Sequence, residues 1–313
     1  MTRFIESPTK SQGEIHNLRR TLLALFLVLT VSAAQSDDRN APLIADYVKT
    51  AVKTVPASLA LDPFYAKHVD ALGIAVVSSK KAPDSALLVA RDIIIHMLAK
   101  RPDLREAMIK EAMRVIVMAR SESTTDLPEQ RDWKKPTLDD PRLTLDEKIH
   151  YDDLIGKLTD KQYWDRRARG MGGNPTSCAE ENLLGFPGTR YYGENILVHE
   201  FAHGIMDIGI RSADQELLKE IRSAYKQAMS KGLWKGHYAA TNANEYWAEG
   251  TQTWFWSNYE YVDKSQIVDS PDDLKRYDPS LYALLARVYP DHHIPMDVYH
   301  AKAIDRVSRN LKK

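Results

Sequence analysis

The feature that most constrains the fold is the pentapeptide His199-Glu200-Phe201-Ala202-His203, set in a run that is apolar on nearly all sides. Ile196, Leu197, Val198, Phe201, Ala202, Ile205, Met206 and Ile208 leave little polar face, and a helix hydrophobic all round is a buried one. Two histidines at i and i+4 lie one turn apart on the same face. Buried imidazoles and a buried carboxylate need partners, because an unpaired polar group away from water is expensive. A divalent cation is such a partner. The spacing lets two imidazoles grip one zinc ion, with Glu200 placed to take a proton from the water that the metal binds. Gly209 is expected to end the helix in the left-handed conformation.

A catalytic zinc takes three protein ligands and keeps one position for water. In one large class the third ligand is a histidine six residues past the second motif histidine, with a glycine at the third. Gly209 and Met206 hold those positions here, which excludes that class. Asp207 follows His203 by one turn, where it can support the site but cannot easily curl back onto the metal. The other candidates are acidic and lie downstream. From Asn242, read as an N-cap, the sequence predicts a helix in which Glu245 and Glu249 share one face. Like charges at that spacing repel, which is easier to explain if one of them binds a cation. A helix crossing under the first would offer Glu245 to the metal and leave Glu249 to accept the free ring N–H of a zinc-bound histidine.

HEFAH followed by YAATNANEYWAEGTQTWF resembles the anthrax lethal factor-like zinc peptidases, a group that includes the Pro-Pro endopeptidases and the Mlc titration factor peptidases. The resemblance covers about residues 190–258. It implies a zincin-like domain holding one zinc ion per chain, with His199, His203 and Glu245 as ligands and Glu200 as general base. It further implies Glu249 as the acidic residue behind the ligands and Tyr238 as the donor that stabilises an oxyanion. It does not reach residues before 175, so substrate choice does not come with it. His237, beside Tyr238, is read as a loop residue rather than a second donor.

Charge balances at 43 basic against 43 acidic residues, without the basic surplus of a nucleic-acid binder. Arg19 and Arg20 precede an apolar run from Thr21 to Ala34 that is shorter than the ~20 residues of a membrane span. It reads as a secretory signal cleaved near Ala33 or Ala34, with an uncleaved anchor as the alternative. No stable membrane insertion is expected after cleavage, and the chain is read as secreted or periplasmic. Cys178 is the only cysteine, so no internal disulfide forms. It is read as a small buried hydrophobe, against the rival idea of a thiolate capping the metal.

The fold class expected is α+β and mainly helical. After the signal at 1–34, an α/β region covers 35–150 and the zincin-like domain covers 151–313. Helices are expected over 41–55, from a cap at Asp84 to Lys100, and from Pro102. Another is expected from a capping box at Ser212 and Gln215 to about Ser230, and a late one from Pro271 to Tyr289. Strands are expected at 72–78 and 114–119, with an ordered loop at 121–142 anchored by Leu127 and Trp133. The basic, Gly-rich stretch from Arg167 to Pro175 is either a cleft wall that approaches substrate backbone or an exposed turn. The activity these readings favour is zinc-dependent hydrolysis of peptide bonds, most simply by an endopeptidase. A non-catalytic metal-binding scaffold on a peptidase fold, and a zinc amidase acting on another amide, remain open.

Overall fold

Leu72 and Gly73 both take positive φ, 53° and 98°, the backbone of a two-residue hairpin turn that follows strand twist. They join β1 (Lys67–Ala71) to β2 (Ile74–Ser78), which pair antiparallel. The strand expected at 72–78 therefore starts two residues later, and a second strand precedes it. β3 (Arg114–Met118) runs parallel to β2, and β4 (Thr176–Ala179) parallel to β3, in the order β1-β2-β3-β4. The sheet thus draws strands from both sides of residue 150. This computed structural model describes residues 50–290, apart from 142, together with 292. The expected signal segment lies outside the described residues.

Strand alternation divides the apolar residues between two cores. Ile74, Val76, Val115, Val117 and Cys178 face the large core under the helices. Val77, Ile116, Met118 and Ala179 face a smaller one with Tyr65 and Leu127. Parallel neighbours need a crossover, supplied between β2 and β3 by α1 (Asp84–Leu98) and α2 (Pro102–Lys110). Pro83, not Asp84, stands at the α1 cap; Asp84 lies in the first turn and pairs with Lys67 at 2.7 Å. Between β3 and β4 the long loop is ordered as expected. Leu127 is fully buried, and Trp133 packs edge-on to Trp164 of α3 (Asp160–Arg167) with ring centres 4.8 Å apart.

The helix of the HEFAH run is α4 (Ile196–Gly204), capped by Asn195, whose side chain accepts from the Val198 N–H at 3.2 Å. It does not stop at Gly209. The chain continues through a π-helical segment, Ile205–Ile210, and a last turn to Ala213. Gly209 serves close packing instead: a Cβ there would sit 3.3 Å from Leu104 Cβ and 3.4 Å from Leu104 O on α2. Asp214, not Ser212, caps α5 (Gln215–Ser230) by accepting from the Leu217 N–H. α6 (Ala243–Trp254) follows, then an unexpected hairpin of β5 (Tyr261–Asp263) and β6 (Gln266–Val268).

The expected late helix is two, α7 (Pro271–Tyr277) and α8 (Pro279–Val288). Pro279 disfavours helical backbone at Asp278, and Asp278 caps α8 instead. The expected helix at 41–55 is not helical in its described part. Lys53 there exchanges both backbone hydrogen bonds with His68, at 2.8 and 2.7 Å, giving the outer edge of β1 a partner.

Candidate metal centre

α4 packs on β4 and against α6, which crosses it. The crossing brings three candidate ligand atoms together. His199 Nε2 lies 3.2 Å from His203 Nε2 and 3.1 Å from Glu245 Oε2, and His203 Nε2 lies 3.3 Å from the same oxygen. Around a tetrahedral zinc with bonds near 2.0–2.1 Å, neighbouring ligand atoms stand about 3.3 Å apart, so this triangle fits the ion. The donor set, two imidazoles and a carboxylate, suits zinc equally well. His199, Glu200 and His203 also place one ligand atom each within 4.8 Å of one another.

Electrostatics point the same way. Two ring lone pairs and a carboxylate converging on one point repel unless a cation sits among them. Burial opposes charge on His199, yet the Glu245 hydrogen bond and the fields of Glu200 and Glu249 lift its pKa to about 10. Burial likewise works against the Glu245 carboxylate, but its bonds to His199 and His203 hold it down to about 2. Without metal, a proton on His199 does the cation's work. Burial raises the pKa of Glu200, against the fields of the two histidines.

Gly170 to Gly173 run beside α4 as a strap. Met171 exchanges backbone bonds with Ser177 of β4, at 3.1 and 2.9 Å. A Cβ on Gly170 would fall 2.4 Å from Ile196 Cγ2 and 2.9 Å from Ser177 O; one on Gly172 would fall 3.0 Å from His203 Cβ. These glycines let the strap approach the metal helix, and the Gly172 N–H reaches the Glu200 carboxylate. The stretch from Arg167 to Gly173 lines the cleft. Its basic residues are committed to the protein: Arg169 grips Glu181 through Nε at 2.7 Å and Nη2 at 3.0 Å, and Arg167 pairs with Glu147 at 2.8 Å.

Tyr238 opens a short 3-10 turn, Tyr238–Ala240, at the mouth of the cleft and is 57% exposed. Its ring stacks on that of His199 with centres 6.3 Å apart. Partial burial, then the fields of Glu245 and Glu200, push its phenol pKa up, so it keeps its proton. His237 caps that turn by accepting from the Ala239 N–H at 3.2 Å, and packs on Tyr261 and Trp234. Asp207 accepts from Asn244 Nδ2 at 2.8 Å, tying the π-helical segment to the first turn of α6. Cys178 is fully buried in β4 with its thiol 3.7 Å from Ile116 O, and it does not line the cleft.

The free ring nitrogen of His199 has a different nearest partner from the one expected. Nδ1 stands 3.0 Å from Gln252 Oε1 and 3.6 Å from Glu249 Oε1. Glu249 instead accepts from Asn258 Nδ2 at 2.6 Å. Gln252 and the half-buried Glu194 were not singled out in the sequence. Gln252 could have been found by its place seven residues, two turns, beyond Glu245.

The cleft has a volume of about 1340 Å³ and opens over His199, Glu200, His203, Tyr238 and Glu245. Mixed α/β, mostly helical architecture with this cluster and distal glutamates is a zincin-like catalytic arrangement. Among solved structures, the chain is similar to the Pro-Pro endopeptidase PPEP-2 from Paenibacillus alvei at 16% identity. The match covers 68% of this chain and 97% of that one with a TM-score of 0.43, a likeness too distant to carry weight here. No family model matches the chain, and no curated protein matches it.

Proposed function

We propose that the chain is a zinc metallopeptidase with His199, His203 and Glu245 as metal ligands, Glu200 as general base and Tyr238 as oxyanion donor. The observation that carries this reading is the 3.1–3.3 Å triangle of ligand atoms in an open cleft with a carboxylate beside it. A zinc ion held there would supply a water acidified towards a pKa of ~7. Glu200, oriented by the Gly172 N–H, takes the proton of the attacking water and returns it to the leaving amine. The protonated Tyr238 hydroxyl donates to the oxyanion of the attacked carbonyl, a contact typically worth ~3 kcal/mol of barrier. HEFAH and YAATNANEYWAEGTQTWF support a lethal factor-like kinship through their spacing alone.

The test is to incubate the purified chain, and its Glu200→Gln form, with a proteome-derived peptide library and read the cut sites by mass spectrometry. Cleavage by the wild type that chelator abolishes, with Glu200→Gln inert yet loaded with one zinc, is the expected result. Metal bound without any peptide cut would favour the scaffold reading. Release only from non-peptide amides would favour the amidase. We further propose export through the Thr21–Ala34 segment, which a mature N-terminus beginning just past Ala33 or Ala34 would support. Among the described residues no helix is long and apolar enough to cross a membrane.

A further inference from the structure

The Gln252 side chain, on the Glu245 face of α6, has one amide orientation available. Its Nε2 donates to the Asn195 carbonyl at 3.1 Å, and its amide also bonds the Glu194 carboxylate. The Asn195 backbone carbonyl only accepts, so the amide nitrogen faces it and Oε1 is turned to His199 Nδ1 at 3.0 Å. An oxygen cannot donate, so Nδ1 must carry the ring proton. With Nδ1–H held there, Nε2 is the ring atom that gives up its proton and offers a lone pair when a cation takes the point shared with His203 and Glu245. Asn195 is no free surface group: its carbonyl also accepts the His199 N–H at 3.3 Å, and its side chain caps α4. One amide therefore fastens α6 to the first turn of the metal helix and sets the ring that α4 presents.

We propose that Gln252 is the positioning residue that fixes the tautomer and rotation of His199 for the metal, acting through a neutral amide. This rests on the zinc reading above. A methionine at 252 would fill the space but leave Nδ1–H without its acceptor, a loss that typically lowers metal affinity 10- to 100-fold. A glutamate at 252 keeps an oxygen where Oε1 stands, so Nδ1–H keeps its acceptor.

The test measures zinc affinity of the full chain by chelator competition for wild type, Gln252→Met and Gln252→Glu, with the visible spectrum of the cobalt form as a second readout. Gln252→Met is expected to bind zinc about 10- to 100-fold more weakly with an altered cobalt band, and Gln252→Glu to stay within about threefold of wild type. Equal affinity of wild type and Gln252→Met would overturn the proposal alone. Equal weakening of both variants would overturn it in favour of a packing role. A wild type that takes up no zinc would overturn the zinc reading and this one with it. Should Gln252→Met not fold, nitrogen-15 imidazole spectra of the zinc-loaded wild type decide. A protonated Nδ1 with metal on Nε2 at His199 supports the proposal, and the reverse assignment overturns it.

Discussion

Gly172 shows how little space separates the strap from the chemistry. A methyl there would press on His203 Cβ and Cδ2 at 3.0 Å and on Glu200 Oε2 at 3.1 Å. Gly172→Ala is therefore expected to cost about 1–3 kcal/mol in denaturant unfolding and to lower turnover more than zinc content. Glu194 sets a pH dependence. Burial first, then the field of Glu249, raises its pKa from 4.5 to about 7. The folded chain thus holds this proton more tightly than the unfolded chain. The resulting stability is full below the unfolded value and lost as pH rises through about 7. Metal-free protein is expected to weaken between 5 and 8 on the pH scale by up to about 3 kcal/mol, and Glu194→Gln to flatten that fall. Urea unfolding of both forms across the range checks it, and identical slopes would refute the assignment.

Helix α6 depends on its first turn to deliver Glu245. Asn242 Oδ1 accepts from the Asn244 and Glu245 N–H groups, each at 2.9 Å. Asn242→Ala is expected to cost about 1 kcal/mol of stability, read from urea midpoints, and to weaken zinc binding through the freed ligand backbone. This cap was legible in the sequence, as was α4, because capping residues and helical periodicity are local signals. What escaped was set by contacts between distant segments. Gly209 looks like a helix stop, and only the approach of Leu104 explains it. The alternation of β1 is diluted by Lys67, His68 and Asp70, so its strand character comes from pairing with β2. Gln252 and Glu194 acquire their meaning where α6 meets the start of α4. The break before Pro279 is a local signal, carried by the proline itself.

Across the molecule, metal is expected to act as a fastener between α4 and α6, which otherwise meet through side-chain packing and the Gln252 bonds. An ion that binds only the folded chain stabilises it by about 4 kcal/mol at a thousand times its dissociation constant. Thermal unfolding with excess zinc and with chelator should differ accordingly, and coincident curves would deny the link. The sheet carries a separate consequence. Its outermost strands are each occupied by a single bridging residue, Lys53 on β1 and Met171 on β4. Bare rims invite other chains to add themselves and grow into aggregates. Here each rim is interrupted from within at one point, by Lys53 on β1 and by Met171 on β4, so a strand adding from outside would have to displace that bridge.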